Sequence, residues 1–235
     1  MQNEIDNYLD NHYIHKSNWL RAAVLGANDG ILSTSSLAIG VAAASEFREP
    51  IVIATLAGLV AGALSMAAGE YVSVSSQTDV EQADIEREII ELKEMPDIEL
   101  ERLAQIYEQR GLKKETALKV AQELTEYDAL GAHVRDELGI NEISQAKPFQ
   151  AAMASGLSFT FGGALPFLVT LFLPVHNMEY FLYVLAILFL ALLGSIAAKT
   201  GGSSVKKAVI RVVFWGTIAM ALTALVGRVF GVQLA

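Results

Sequence analysis

Residues 51–94 read IVIATLAGLVAGALSMAAGEYVSVSSQTDVEQADIEREIIELKE, and the change of character inside this stretch decides the fold. From 51 to 75 the only acidic or basic side chain is Glu70. As a helix rising 1.5 Å per residue, such a stretch exceeds the ~30 Å of hydrocarbon in a bilayer. From 79 to 94 the chain is free of Gly and Pro, dense in carboxylates, and reads as a helix with a solvated face. A membrane-crossing segment therefore runs straight into an acidic, water-facing one.

Working outward, 19–45, 149–173, 180–198 and 208–230 are also apolar and long enough to span. The expected fold is an all-α membrane protein with five transmembrane helices and a cytosolic helical insert between helices two and three. Its expected parts are a leader at 1–18, helices one and two at 19–75, the insert at 76–147, and helices three to five at 148–235. The first apolar segment is longer than a signal-peptide core and lacks an obvious cleavage end, so it reads as a retained span.

Composition agrees. Of 235 residues 53% are hydrophobic and 18% charged, with a mean hydropathy of +0.40, too apolar for an ordinary soluble domain. The net charge of −9 offers no footprint for nucleic acid. The 76–147 segment holds 18 acidic against 9 basic side chains, so all the excess negative charge sits there. With no cysteine, thiolate metal sites, disulfides and thiol nucleophiles are excluded. Any metal is held by oxygen, imidazole or thioether.

Orientation follows from Lys and Arg. Lys16, Arg21, Lys199, Lys206, Lys207 and Arg211 fall on one side if the N-terminus is cytosolic, which puts the insert in the cytosol; Arg48 and Arg228 are exceptions. Within the insert, Pro96 and Asp97 punctuate the first helix, 98–109 forms a second ended by Gly111, and 114–138 a third before Gly139. The apolar stripes are thin, so this small bundle is expected to lean on the membrane part or on a second copy.

Asp29, in Gly26-Ala27-Asn28-Asp29-Gly30, falls about 15 Å into its span. A carboxylate at that depth costs about 2.5–3.5 kcal/mol and ordinarily marks an ion path; the bland alternative is a role in helix packing or distortion. On helix two, Met66 lies at similar depth, and Glu70 follows at i+4 on the same face. Thioether sulfur with carboxylate oxygen suits a borderline divalent transition metal better than Ca²⁺ or Mg²⁺, although a lone membrane methionine is more often packing. Gly58 and Gly62, and again Gly227 and Gly231, have the small-residue spacing that permits helix contact or dimerisation. Gly162, Gly163 and Pro166 read as a kink or a broken segment. In the insert, Asp84, Glu88 and Glu91 lie on one helical stripe, and His133 and Glu137 are i and i+4. An acidic helix is usually a solvated face, but this charge density beside a membrane path favours cation capture. His133 is left between ligand and surface residue.

The segments Gly26-Ala27-Asn28-Asp29-Gly30, residues 61–71 (AGALSMAAGEY) and Phe161-Gly162-Gly163-Ala164-Leu165-Pro166 closely resemble the vacuolar iron transporter family, including its bacterial members, over nearly the whole chain. The resemblance implies a homodimeric exporter of Fe²⁺, often also Mn²⁺, from the cytosol, coupled to inward proton movement. It implies Asp29 and Met66 as pore ligands and Glu88, Glu91, Glu99 and Glu137 as cytosolic metal-site glutamates. Arg102 stands where a further glutamate is expected, His133 where a methionine is, Ala22 in place of an aspartate and Gly58 in place of a glutamate. These departures imply fewer ions in the insert and a larger part for Glu70.

The resulting expectation is a non-enzymatic, proton-coupled divalent-metal exporter in a cell membrane or vacuole-type membrane. Its transport path is Asp29, Met66 and Glu70, its metal site Glu88, Glu91, Glu99, His133 and Glu137, and it has no permanent cofactor, with Fe²⁺ or Mn²⁺ as substrate. A ferroxidase of the helical-bundle type is disfavoured because no Glu-x-x-His pair occurs. A non-transporting sensor or scaffold would leave Asp29 unexplained.

Overall fold

The computed structural model describes residues 17–140 and 147–231. His12, His15 and Lys16 lie outside the described residues. The elements are α1 (Ser17–Ala42), α2 (Arg48–Glu94), α3 (Pro96–Gln109), α4 (Lys114–Asp136), α5 (Pro148–Phe172), a 3₁₀ turn (Val175–Asn177), α6 (Met178–Thr200) and α7 (Val205–Gly231). No strand occurs among the described residues. The chain divides into two compact units, split between residues 71 and 72 and again between 148 and 149.

Among the described residues four helices are long and apolar enough to cross a membrane: α2, α5, α6 with the turn before it, and α7. The sequence led us to expect five. The remaining one, α1, has the length at 26 residues, but Asn28, Asp29, Ser33, Thr34, Ser35 and Ser36 dilute its apolar content. A second difference concerns α2, a single helix of 47 residues. The expected second span and first insert helix are one element, because no Gly or Pro between 70 and 94 supplies a stop.

In the first unit α1 is the hub. Its Ile31, Ala38 and Ile39 share a buried core with Ile51 of α2, Val169 of α5, Leu182, Ala186 and Leu190 of α6 and Met220 of α7. Close approach depends on glycine. A Cβ at Gly30 would strike the Phe159 carbonyl of α5, and one at Gly162 the carbonyl of Ala27, so α1 and α5 touch backbone to backbone. Of the kink or break expected at Gly162, Gly163 and Pro166, the break is absent: α5 continues through Pro166 as one helix, and the glycines serve as contact surface. Gly227 and Gly231 likewise face Gly40 and Ala44 within the same chain, which removes them as a dimerisation signal.

The two arginines that ran against the charge bias both have structural partners. Arg48 donates from Nη1 to the carbonyls of Thr170 (2.8 Å) and Leu171 (2.6 Å) and from Nη2 to that of Leu173 (2.8 Å). It thereby satisfies the orphan acceptors at the C-terminal end of α5 and sits favourably on the helix dipole. Arg228 pairs with Glu179 at 3.0 Å, joining the end of α7 to the start of α6.

The second unit has a small core of its own, Leu103 and Ala104 of α3 with Ala121 and Ala132 of α4. Pro96 opens α3 at a position where its missing N–H is not needed. Gly111, at φ +100°, makes the turn into α4. Helix α4 kinks at Asp128 (φ −162°, ψ 89°), whose Oδ1 accepts from the Gly131 N–H at 3.0 Å and so caps a separate last segment carrying His133. The far ends of α3 and α4 are tied by Asp136, which accepts from the Tyr107 hydroxyl (2.9 Å) and from Arg110 (2.6 Å).

Candidate metal sites

The first site is a cleft of about 410 Å³ between α1, α2 and α5, lined among others by Asp29, Met66 and Glu70. Asp29 is the thirteenth of the 26 residues of α1, so half of the helix lies on either side of it. Met66 and Glu70 reach the same cleft from successive turns of α2. The three residues singled out from sequence are therefore brought together. Ser33, Thr34, Leu37, Ser65 and Phe159 also line the cleft. Sequence reasoning missed them, although Ser33 is i+4 from Asp29 and periodicity alone would have placed it on the same face. The Ser33 hydroxyl donates back to the Asp29 carbonyl at 2.5 Å. Thr34 is 2% exposed and its hydroxyl oxygen has no partner. Gly58 and Gly62 form the floor: a Cβ at Gly62 would run into the Phe159 ring, and one at Gly58 into the Leu37 side chain. The cleft thus offers carboxylate, thioether and hydroxyl donors on walls kept narrow by glycine.

The second site lies in the second unit. One donor atom each from Glu88, Glu99, His133 and Glu137 falls within 4.8 Å of the others. Glu88 comes from the distal part of α2, Glu99 from the first turn of α3, and His133 and Glu137 from the capped end of α4. His133 is fully buried, so its reading as a surface residue is set aside. Its Nδ1 lies 3.1 Å from Glu137 Oε2, 2.8 Å from Glu88 Oε1 and 3.8 Å from Glu99 Oε2. One Nδ1 hydrogen cannot serve three carboxylates, and Glu88 Oε1, Glu99 Oε2 and His133 Nε2 are buried without a hydrogen-bond partner. Burial pushes the Glu88 carboxyl above its usual range; Glu137 adds to this, His133 opposes it, Glu99 adds and Arg102 opposes. Unshared carboxylate charge of this kind is costly unless a cation enters. Four ligands held 2.0–2.2 Å from one ion at tetrahedral angles stand about 3.3–3.6 Å apart, so the side chains must draw together by up to roughly 1.5 Å to close on it.

Two of the expected acids stand apart from that set. Glu91 approaches through Arg102, whose Nη1 is 3.7 Å from Glu91 Oε2 and 3.7 Å from Glu99 Oε2. Asp84, on the same stripe of α2, is half-buried and paired with the exposed Arg87 at 3.6 Å. The stripe divides because only the positions facing α3 and α4 are covered.

Among the described residues, four helices long and apolar enough to cross a membrane, with a buried histidine-carboxylate set in the second unit, define the class as a helical integral membrane protein with a candidate cation site. Residues 20–228 match the VIT family, and the chain belongs to it. It is 45% identical over 210 residues to a vacuolar iron transporter of Acanthamoeba castellanii, covering 89% of this chain and 77% of that protein. It is 37% identical over 223 residues to vacuolar iron transporter homolog 1 of Oryza sativa subsp. japonica (94% and 78%) and 35% identical over 212 residues to homolog 2.1 of Arabidopsis thaliana (90% and 81%).

Proposed function

We propose that this chain exports a divalent transition metal, Fe²⁺ and also Mn²⁺, out of the cytosol in exchange for protons. The observation that carries the reading is the convergence of Asp29, Met66 and Glu70 on one cleft of the membrane unit. The names of the relatives, iron transporters, agree with it.

In this reading α1 is the fifth span. Its burial among α2, α5, α6 and α7 explains how it tolerates its polar residues, since intramembrane polar groups face the bundle interior or a cavity. With the N-terminus cytosolic, the acidic unit is cytosolic too and acts as collector: Glu88, Glu99, His133 and Glu137 hold the ion, with Glu91 at the rim. In the membrane unit Glu70 receives the ion and Asp29 with Met66 binds it at mid-depth. The sulfur of Met66 favours Fe²⁺ over harder ions, while the carboxylates also suit Mn²⁺. Protonation of Asp29 or Glu70 removes a ligand charge and releases the metal, which couples the two flows. The residues are ligands for a passing substrate, and no permanent cofactor is required.

The working form in this reading is a homodimer in a cell membrane or vacuole-type membrane. Leu64 is 66% exposed and no atom stands within 4 Å of a Cβ on Gly69, so α2 presents a face of small and apolar residues beside the cleft for a second copy.

The test is anaerobic Fe²⁺ and Mn²⁺ uptake into proteoliposomes with and without an imposed pH gradient. Metal flux that rises with the gradient, and proton flux that requires metal, are expected. Binding without flux would instead make the protein a sensor or scaffold.

A further inference from the structure

The second site contains a cation of its own. Arg102, on α3, contacts Glu137 Oε1 through Nη2 and lies against Glu91 and Glu99 through Nη1. We propose that Arg102 is a tethered competitor for the metal, occupying the outer half of the carboxylate cluster so that the site takes one divalent ion and holds it loosely enough to pass it on. This rests on the cluster being a metal site, as argued above.

Charge sets the limit. Glu88, Glu91, Glu99 and Glu137 bring four negative charges, and the guanidinium, which does not deprotonate in proteins, permanently returns one. A single divalent ion leaves the group one charge negative, and without the arginine a second would bring it to neutrality. A second would make it net positive with Arg102 still in place. Geometry fixes where the single ion goes. Glu137 is divided: Oε1 belongs to Arg102 and Oε2 faces His133. Glu88 Oε1 and Glu99 Oε2, buried without hydrogen-bond partners among the described residues, lie 2.8 and 3.8 Å from His133 Nδ1, and Glu99 Oε2 lies 3.7 Å from Arg102 Nη1 as well. The Arg102 side chain is 50% exposed, whereas Glu99 is 2% exposed. The arginine can therefore swing to solvent while the inner donors stay put. An incoming ion gains Glu137 fully only by loosening the arginine, so each binding event is opposed by a cation that never leaves the protein.

The experiment is an anaerobic titration of the full chain in detergent with Mn²⁺, counting free ion by electron paramagnetic resonance, and with Co²⁺, reading nitrogen-oxygen coordination by visible absorption. Ions belonging to this cluster are those lost in the Glu88→Ala/His133→Ala double variant. We expect one such ion per wild-type chain and one in Arg102→Lys. In Arg102→Gln, and in Arg102→Ala as a second form, a second ion is expected because the outer carboxylates are freed, with affinity for the first raised on the order of tenfold by removal of a nearby positive charge. In Arg102→Glu a second ion is expected. Unchanged or weaker binding in the neutral variants, or two ions in wild type, would overturn the role of Arg102 while leaving the metal site standing. Absence of any ion that the double variant loses would remove the site itself, and this inference with it. Proteoliposome flux in the same variants keeps either failure separate from that of the transport reading.

Discussion

Gly30→Ala is the sharpest test of the packing that creates the cleft. The added Cβ would strike the Phe159 carbonyl oxygen, and it would lie 2.9 Å from the Phe159 carbonyl carbon and 3.0 Å from the Gly163 nitrogen. Comfortable carbon contacts are about 3.5–4.0 Å. These neighbours are backbone in the middle of α5, so no side chain can rotate away and α1 must back off by roughly 1 Å. Overpacking of this kind costs about 1–3 kcal/mol. The matched control is Gly194→Ala, whose Cβ would meet a methyl of Val212 at 3.2 Å, a side-chain contact that a shift of a few tenths of an ångström relieves. Thermal unfolding in detergent, followed by loss of the monodisperse peak on size-exclusion chromatography, should show Gly30→Ala well below wild type and Gly194→Ala close to it. Metal flux should fall with the former, because α1 carries Asp29 into the cleft. Equal stability of the two variants would refute the backbone contact between α1 and α5.

Two further outcomes follow from polar contacts made by residues that are not themselves metal ligands. Arg48→Ala leaves the carbonyls of Thr170, Leu171 and Leu173 without their charged donor, and the thermal midpoint should fall by the equivalent of about 1–3 kcal/mol, with Arg48→Lys intermediate. Burial alone would raise the Asp136 carboxyl, but hydrogen bonds from Arg110, Arg135 and Tyr107 outweigh it and hold the group below the ordinary 3.8. A depressed carboxyl contributes stability that is present above its unfolded value and lost as pH falls through the folded one. Asp136→Asn should therefore unfold earlier than wild type at neutral pH, by about 1.5–3 kcal/mol for charge-assisted bonds. The gap should close below pH 3.8; a constant gap across that range would contradict the ion-pair account.

Helices, their boundaries and the acidic unit were legible because apolar length and carboxylate density are properties of single segments. That Asp29, Met66 and Glu70 line one cleft was legible for a related reason: position along a helix is a count along the chain. The junction at 76–79 was not, since a change of solvent is not a helix stop and nothing there breaks the backbone. Gly227 and Gly231 show the limit of motif spacing: a pair of small residues says that something approaches closely, and only the fold says that it is α1 of the same chain. The missed signal was Gly26 and Gly30, which share that spacing and receive α5. The division of the acids was the hardest part to read. Glu88 and Glu91 are neighbours on one stripe, yet only Glu88 is enclosed, because burial is decided by α3 and α4, far along the chain. Arg102 reads in sequence as a lost ligand; in the fold it is a partner to three carboxylates.

The most direct measurement is metal uptake by Asp29→Asn in proteoliposomes under a fixed pH gradient, at matched protein density and with metal binding to the acidic unit verified in the same preparation. The amide keeps the size and removes the charge, so the account predicts loss of at least about tenfold in flux, the order expected for a charged ligand, with binding at Glu88, Glu99, His133 and Glu137 intact. Wild-type flux through the Asn variant would contradict it.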